Sequence, residues 1–447
     1  MNKLTTKDTI LIGVTLFSMF FGAGNLIFPP FLGARAGASS VVAFIGFCVT
    51  AIGFPVLGIV VAAKVGGLKA MGQKVGKYFE MVFSMLIYIS IGPLLAIPRT
   101  SSTSFEIAKA PLGIPSDKEV IARVIYSIVF FGISFIVALK PQKLTERLGK
   151  IMFPCLLTLI AVVFIGSVFS IGAPPMEISP EYMEAPFFTG FIKGYETMDT
   201  MAALNFGVII AMNIRAKGLS DDKAVTKHTV YAGIITGILL ALVYSALCFI
   251  GLTSGIEGAT DGTVILAMTV GRLFGKFGMY ILGAIFIIAC FNTCTGLICC
   301  CSEYFALITK GKINYKAWAL FFAVISMLIS NFGLSTILSF SVPILNAIYP
   351  IAIVIITLGM FNKYVERFRF AYPIAVLFTG VLSVSTAYLP KTVLEMLRIS
   401  SLPLYNEGLV WVVPAVVGLI IGIVASLFGG KNNKALPELQ EEIEAKA

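Results

Sequence analysis

Charge is scarce in this chain and histidine is nearly absent. Only 13% of its 447 residues are Asp, Glu, Lys or Arg, where a soluble domain carries about 25%, so an ordinary water-soluble globule is excluded. A single histidine, His228, rules out an imidazole relay across a membrane. His-Glu-x-x-His, Gly-x-Ser-x-Gly and the ATP-binding Gly-x4-Gly-Lys-Ser/Thr do not occur, which argues against an intramembrane enzyme and against ATP as the driving force. The eight cysteines, Cys48, Cys155, Cys248, Cys290, Cys294, Cys299, Cys300 and Cys301, fall in apolar segments and read as reduced, buried thiols. The net charge of +10 does not imply a nucleic-acid partner, because the basic residues are spread between apolar stretches.

Apolar surface is abundant: 58% of side chains are hydrophobic and the mean hydropathy is +0.95. Windows of about 20 apolar residues, enough to cross a ~30 Å hydrocarbon core, fall at 9–34, 40–63, 79–105, 120–139, 151–172, 187–211, 229–253, 277–308, 315–332, 335–361, 371–389 and 409–428. The prediction is an all-α polytopic membrane protein of 12 transmembrane helices, one transmembrane domain over 1–428 and a short polar tail at 429–447. The apolar run after Met1, Asn2 and Lys3 resembles a signal peptide, but it outlasts an h-region and no Ala-x-Ala follows, so it reads as the first span. Segment 263–276 is too short to cross and is punctuated by Gly262, Gly271, Gly275 and Gly278, so it reads as a helix in an external loop.

With the N-terminus inside, 23 of the 33 Lys and Arg residues lie on the cytoplasmic side and 8 on the other. That bias places both termini in the cytoplasm of a cell (inner) membrane protein. The external loop 173–186 carries Glu177, Glu181 and Glu184 with no Lys or Arg.

Two spans contain residues that a plain membrane helix does not need. The first carries Phe20-Phe21-Gly22-Ala23-Gly24-Asn25-Leu26-Ile27-Phe28-Pro29-Pro30 near mid-bilayer. Glycine lowers the barrier to leaving helical geometry, Asn25 can bond the freed backbone, and Pro29 and Pro30 suit the first turn of a second half-helix. The sixth places Lys193, Glu196, Asp199 and Asn205 within one apolar run, each ionisable group costing about 2.5–3.5 kcal/mol at the bilayer centre. Interruptions in spans five apart, which enter from opposite sides, point to an inverted-repeat secondary transporter with its site at the midplane. A channel would need repeated pore-lining segments, and none is present.

Unwound carbonyls of Gly194, Tyr195 and Glu196, with the Thr197 hydroxyl, suit an ammonium or a cation. Phe20, Phe21, Tyr195 and Met198 are candidates for a dry pocket wall. Arg99 is expected toward the external end of span three, as a gate pairing with Glu196 or Asp199, with Glu106 as a competing partner.

The Phe-Gly-Ala-Gly-Asn-Leu-Ile-Phe-Pro-Pro segment, Ala96-Ile97-Pro98-Arg99-Thr100, Tyr195-Glu196-Thr197-Met198-Asp199 and Ser302-Glu303-Tyr304-Phe305 together resemble the branched-chain amino acid carriers, the LIV-II cation symporters of the LeuT-type (amino acid/polyamine/cation) superfamily. The resemblance runs over essentially the whole chain. It implies a 5+5 inverted repeat over about 8–172 and 185–361 with discontinuous helices 1 and 6 and extra helices at 371–428. It also implies uptake of L-leucine, L-isoleucine and L-valine coupled to Na⁺, with H⁺ as the alternative ion and no other cofactor. By the same resemblance Gly22, Ala23, Gly24 and Asn25 receive the substrate carboxylate, and a sodium lies among Ser18, Phe21, Asn292 and Thr293. The alternatives are an H⁺-coupled transporter of another small neutral amino acid and an ion channel.

Overall fold

The computed structural model describes residues 4–139, 154, 157–158, 160–169, 177–219 and 221–428. Much of the fifth predicted span, Cys155, the basic residues from Lys140 to Lys150 and the tail 429–447 lie outside the described residues. Among the described residues there is no strand.

Helix α1 (Thr6–Phe20) opens on a capping box, with Asp8 N–H donating to Thr5 Oγ1 at 3.2 Å and Thr5 N–H to Asp8 Oδ2 at 3.1 Å. It ends at Phe21 and Gly22, both extended, and α2 (Ala23–Ala36) resumes the span. Pro29 and Pro30 are therefore the seventh and eighth residues of α2, not its first turn as expected. The break falls at Gly22, well before the prolines, so the Asn25 and Leu26 carbonyls lose their intrahelical donors.

Span two is α3 (Ser40–Cys48) and α4 (Phe54–Val65), joined by a π-turn over Val49–Gly53 just ahead of Pro55. After the short α5 (Gly67–Val75), α6 (Lys77–Ile89) passes through a second π-turn at Ser90–Leu94, where Gly92 leaves helical geometry and Pro93 follows, into α7 (Ala96–Lys109). Helices α8 (Glu119–Ala138) and α9 (Ile160–Phe169) precede span six. That span is α10 (Pro186–Lys193), a 3₁₀ turn at Gly194–Thr197, left-handed Met198, and α11 (Asp199–Ala216), bent by 51° overall.

Helix α12 (Asp222–Leu252) starts where Asp221 accepts from Ala224 N–H. Helix α13 (Gly262–Ile308) is interrupted at Gly275, whose φ of 60° only glycine adopts without penalty. That interruption coincides with the expected junction between the loop helix and span eight. The chain closes with α14 (Tyr315–Ser330), α15 (Leu334–Met360), α16 (Asn362–Val365), α17 (Ala371–Tyr388), α18 (Lys391–Met396) and α19 (Val412–Phe428). Among the described residues seven helical runs are long and apolar enough to cross a membrane, or eight when the bent α10–α11 pair counts as one, and α9, α14 and α19 are shorter apolar helices.

Both halves of span one pack on α12, and the halves of span six pack on α3 and α4. Glycines bring these backbones together. A Cβ on Gly251 would lie 1.9 Å from the Pro30 carbonyl oxygen, and one on Gly262 1.9 Å from that of Ile27. On the other side, a Cβ on Gly190 would lie 1.8 Å from the Ala43 oxygen and one on Gly46 2.0 Å from that of Phe187.

Candidate functional site

The two breaks meet at the centre of the molecule. In span one the Asn25 side chain turns back on its own helix start, its Oδ1 accepting from Gly22 N–H at 3.1 Å. Its Nδ2 reaches across to span six and donates to Asp199 Oδ2 at 2.6 Å and to the Tyr244 hydroxyl of α12. Tyr244 in turn donates to the same Asp199 oxygen at 3.1 Å. Asn25, Asp199 and Tyr244 are all buried, so one carboxylate joins both interrupted spans to α12 in a setting where an unmade bond is expensive.

The second break is held by hydroxyls. Thr197 Oγ1 donates to Gly194 O at 2.9 Å and accepts from Asp199 N–H at 3.4 Å. From α3–α4, Thr50 Oγ1 donates to Phe191 O at 2.6 Å, while Thr200 Oγ1 donates to Thr50 O at 3.0 Å. The Tyr349 hydroxyl accepts from Thr200 N–H at 3.2 Å, and its ring stacks on Tyr195 with centroids 4.4 Å apart. The carbonyls expected to stand open here all hold internal donors: Gly194 O takes the Thr197 hydroxyl, Tyr195 O takes Met198 N–H, and Glu196 O takes Arg99.

Arg99 differs most from expectation. It lies ten residues, about 15 Å, from the Lys109 end of α7, which puts it level with the breaks and not above them. Among the described residues it pairs with no carboxylate. Its Nη1 donates to the main-chain carbonyl of Glu196 at 2.7 Å, and its guanidinium lies 5.3 Å from the Phe28 ring centre. The Glu196 carboxylate pairs instead with Lys193 at 3.1 Å, an i,i+3 neighbour on the same turn, and Glu106 pairs with Lys109 at 2.6 Å. Gly24 packs directly on Arg99, since a Cβ there would lie 2.6 Å from Nη2. Ala23 is buried at the start of α2 beside these groups.

The four candidate ion ligands are adjacent across the α1–α13 contact. Thr293 Oγ1 lies 3.3 Å from the Phe21 carbonyl, and Asn292 Nδ2 donates to the Ser18 carbonyl at 2.9 Å. Asn292 thus presents a donor to an oxygen that a cation would need. Gly22 is confined by the same contact, a Cβ there falling 2.6 Å from Thr293 Oγ1. Of the pocket candidates, Phe20 packs edge-on against Phe206 at 5.1 Å, Phe21 stacks on Phe17, and Met198 is buried. Tyr244, Thr50 and Tyr349 escaped the sequence reading, being hydroxyls among others on spans that carry no charged side chain. Separately, a cavity of about 540 Å³ opens beside the Lys109 end of α7, lined among others by Glu106, Lys109, Glu119, Arg123 and Asp261.

Helices interrupted at mid-span, with polar side chains joining the interruptions, define a multi-pass membrane transporter. Solved structures share its fold: MHP1, a nucleobase-cation-symport-1 family transporter closed around bromovinylhydantoin, superposes with a TM-score of 0.59 at 12% identity, over 94% of this chain and 92% of that one. MhsT in complex with L-phenylalanine gives 0.57 at 15% identity, over 93% and 97%. The chain belongs to the branched-chain amino acid transport protein family, whose model matches residues 5–428. It is 38% identical over 442 residues to the branched-chain amino acid permease BraB of Bacillus subtilis, covering 97% of this chain and 98% of that one. It is 36% identical over 447 residues to the branched-chain amino acid transport system 2 carrier protein of Pseudomonas aeruginosa, covering 98% and 100%. With the permease BrnQ of Salmonella typhimurium it shares 34% identity over 435 residues. These relatives are transporters, and the chain is not an enzyme.

Proposed function

We propose that this protein is a symporter that imports leucine, isoleucine and valine across the cell membrane, driven by Na⁺ and working by alternating access. The observation that carries the reading is the meeting of the two interrupted spans on the Asn25–Asp199–Tyr244 cluster, in a chain whose close relatives are named for branched-chain amino acids. The substrate lies between the breaks, with Phe20, Tyr195 and Met198 around its aliphatic branch, the Gly194–Glu196 carbonyls and the Thr197 hydroxyl toward its ammonium, and the Gly22–Asn25 turn on its carboxylate side. Na⁺ sits among the Ser18 and Phe21 carbonyls and Thr293 Oγ1, an all-oxygen set of the kind a hard cation prefers. Asn292 joins it by turning its amide oxygen inward.

Twelve spans arranged as a 5+5 inverted repeat, with both termini cytoplasmic, complete the proposal. Support for the repeat comes from packing: both halves of span one lie on span seven, and both halves of span six lie on span two, as a fivefold offset in helix number requires. In this orientation the charged cavity near Lys109 faces outward.

The test is radiolabelled leucine uptake into proteoliposomes under separate inward Na⁺, K⁺ and pH gradients. Concentrative uptake with Na⁺ alone supports the symporter, and Thr293→Ala is then expected to lower Na⁺ affinity at least about tenfold. Uptake with the pH gradient alone moves the coupling to Asp199 or Glu196. Absence of concentrative leucine uptake under every gradient removes the substrate assignment.

A further inference from the structure

Arg99 holds a buried positive charge with no anion in contact among the described residues. Its residue is 3% exposed, Nη1 is spent on a neutral main-chain carbonyl, and Nε has no hydrogen-bond partner among the described residues. Nη2 makes no hydrogen bond among the described residues and faces Gly24. The nearby carboxylates are committed elsewhere, Glu196 to Lys193 and Asp199 to Asn25 and Tyr244. A desolvated guanidinium without a counter-ion is strongly unfavourable, and arginine does not escape by giving up its proton. An arginine with a purely structural role would be expected to contact an acidic side chain, and none of the described residues supplies one here.

The position says which anion. The guanidinium stands between Gly24 of the first break and the Glu196 carbonyl of the second, the place where a substrate between the breaks would present one end. The Gly22 N–H, which a carboxylate would otherwise use, is already taken by Asn25 Oδ1. We infer that Arg99 is the carboxylate receptor of the transported amino acid, its Nε and Nη2 donors gripping the two carboxylate oxygens. Planar guanidinium and planar carboxylate match in geometry, and the charge-assisted pair is stronger than neutral amide contacts. Gly24 is then the residue that leaves room for the guanidinium, and Phe28 the surface it lies on. This role rests on the amino acid transport reading and replaces a gate with a specificity determinant.

Calorimetric binding of leucine, leucinamide and 3-methylbutylamine to the purified full-length protein tests it, with Arg99→Met and Arg99→Lys beside the wild type. The wild type is expected to prefer leucine to both carboxylate-free analogues by about 100-fold. In Arg99→Met leucine affinity falls by about the same factor while the analogues change less than about threefold. Arg99→Lys, which keeps the charge and loses the fork, falls between. Equal losses for all three ligands, or leucine affinity unchanged in Arg99→Met, overturn the inference. If Arg99→Met does not fold, as judged by its unfolding midpoint, Arg99→Lys decides: a selective loss for leucine supports the receptor, and a uniform loss overturns it. If the wild type binds no branched-chain amino acid with any ion, the functional reading fails separately. Other L-amino acids and their amides then test Arg99 alone: an acid-over-amide preference that vanishes in the variant sustains the inference, and one that is absent or unaltered overturns it.

Discussion

Between Phe20 and Ala23 the chain leaves helical geometry for two residues, whereas between Lys193 and Asp199 it does so for five, through a 3₁₀ turn. The first break contains a glycine whose torsion does not require one: Gly22 has φ −129°, open to any residue, and glycine is needed because Thr293 occupies the space a side chain would take. The second break contains a left-handed residue that is not glycine, Met198 at φ 65°, held there by surrounding hydroxyl bonds. One break is specified by missing atoms and the other by extra bonds, so substitutions should sort them.

The largest effect is expected where the two are joined. Asp199→Leu leaves the Asn25 amide and the Tyr244 hydroxyl without their acceptor and should destabilise by about 3 kcal/mol. Its thermal unfolding midpoint in detergent should fall well below that of Asp199→Asn, which still accepts. An unchanged midpoint would mean that the breaks are held independently. Next, Gly22→Ala should destabilise by about 2 kcal/mol through overpacking. Adding Thr293→Ala should restore most of that midpoint, because the clash and not the torsion is the cause. Thr197→Val, which strips one donated and one accepted bond from the second break, should destabilise by about 1 kcal/mol and should gain nothing from Thr293→Ala. The smallest effect has the opposite sign: Met198→Gly should be more stable than Met198→Ala by about 1 kcal/mol, since both lose the side chain and only glycine relieves the left-handed strain. If glycine is the worse of the two, strain does not distinguish the breaks.

Both breaks were legible from composition, because glycines beside an asparagine and a proline pair, and ionisable groups within an apolar run, are more than a plain membrane helix needs. Gly275 announced its interruption in the same way. What was not legible was partnership. On paper Arg99 has Glu196, Asp199 and Glu106 as partners to choose from, and only the turn at Gly194–Thr197 puts Lys193 against Glu196 and turns the Glu196 carbonyl toward Arg99. Tyr244, Thr50 and Tyr349 lie between 45 and 219 residues along the chain from the groups of spans one and six that they bond, a separation no local pattern records. The depth of Arg99 was misjudged because the Ser90–Leu94 π-turn interrupts what reads as one regular helix, although Gly92 and Pro93 marked the place. The prolines of α2 depart from expectation differently: they suit a helix start, yet they lie in the interior of α2, with Gly251 packed on the Pro30 carbonyl.

The glycine contacts around α2 also bear on motion. Main chain rests on main chain where Pro30 meets Gly251, Ile27 meets Gly262, and Gly33 meets the Cys248 carbonyl. With no side chains between them to change rotamer, these three segments have no soft layer in which to slip. The outer half of span one, the end of α12 and the beginning of α13 must therefore travel as one plate. Any displacement of that plate relative to α1 has to be taken up at Phe21 and Gly22, the two residues that separate α1 from α2.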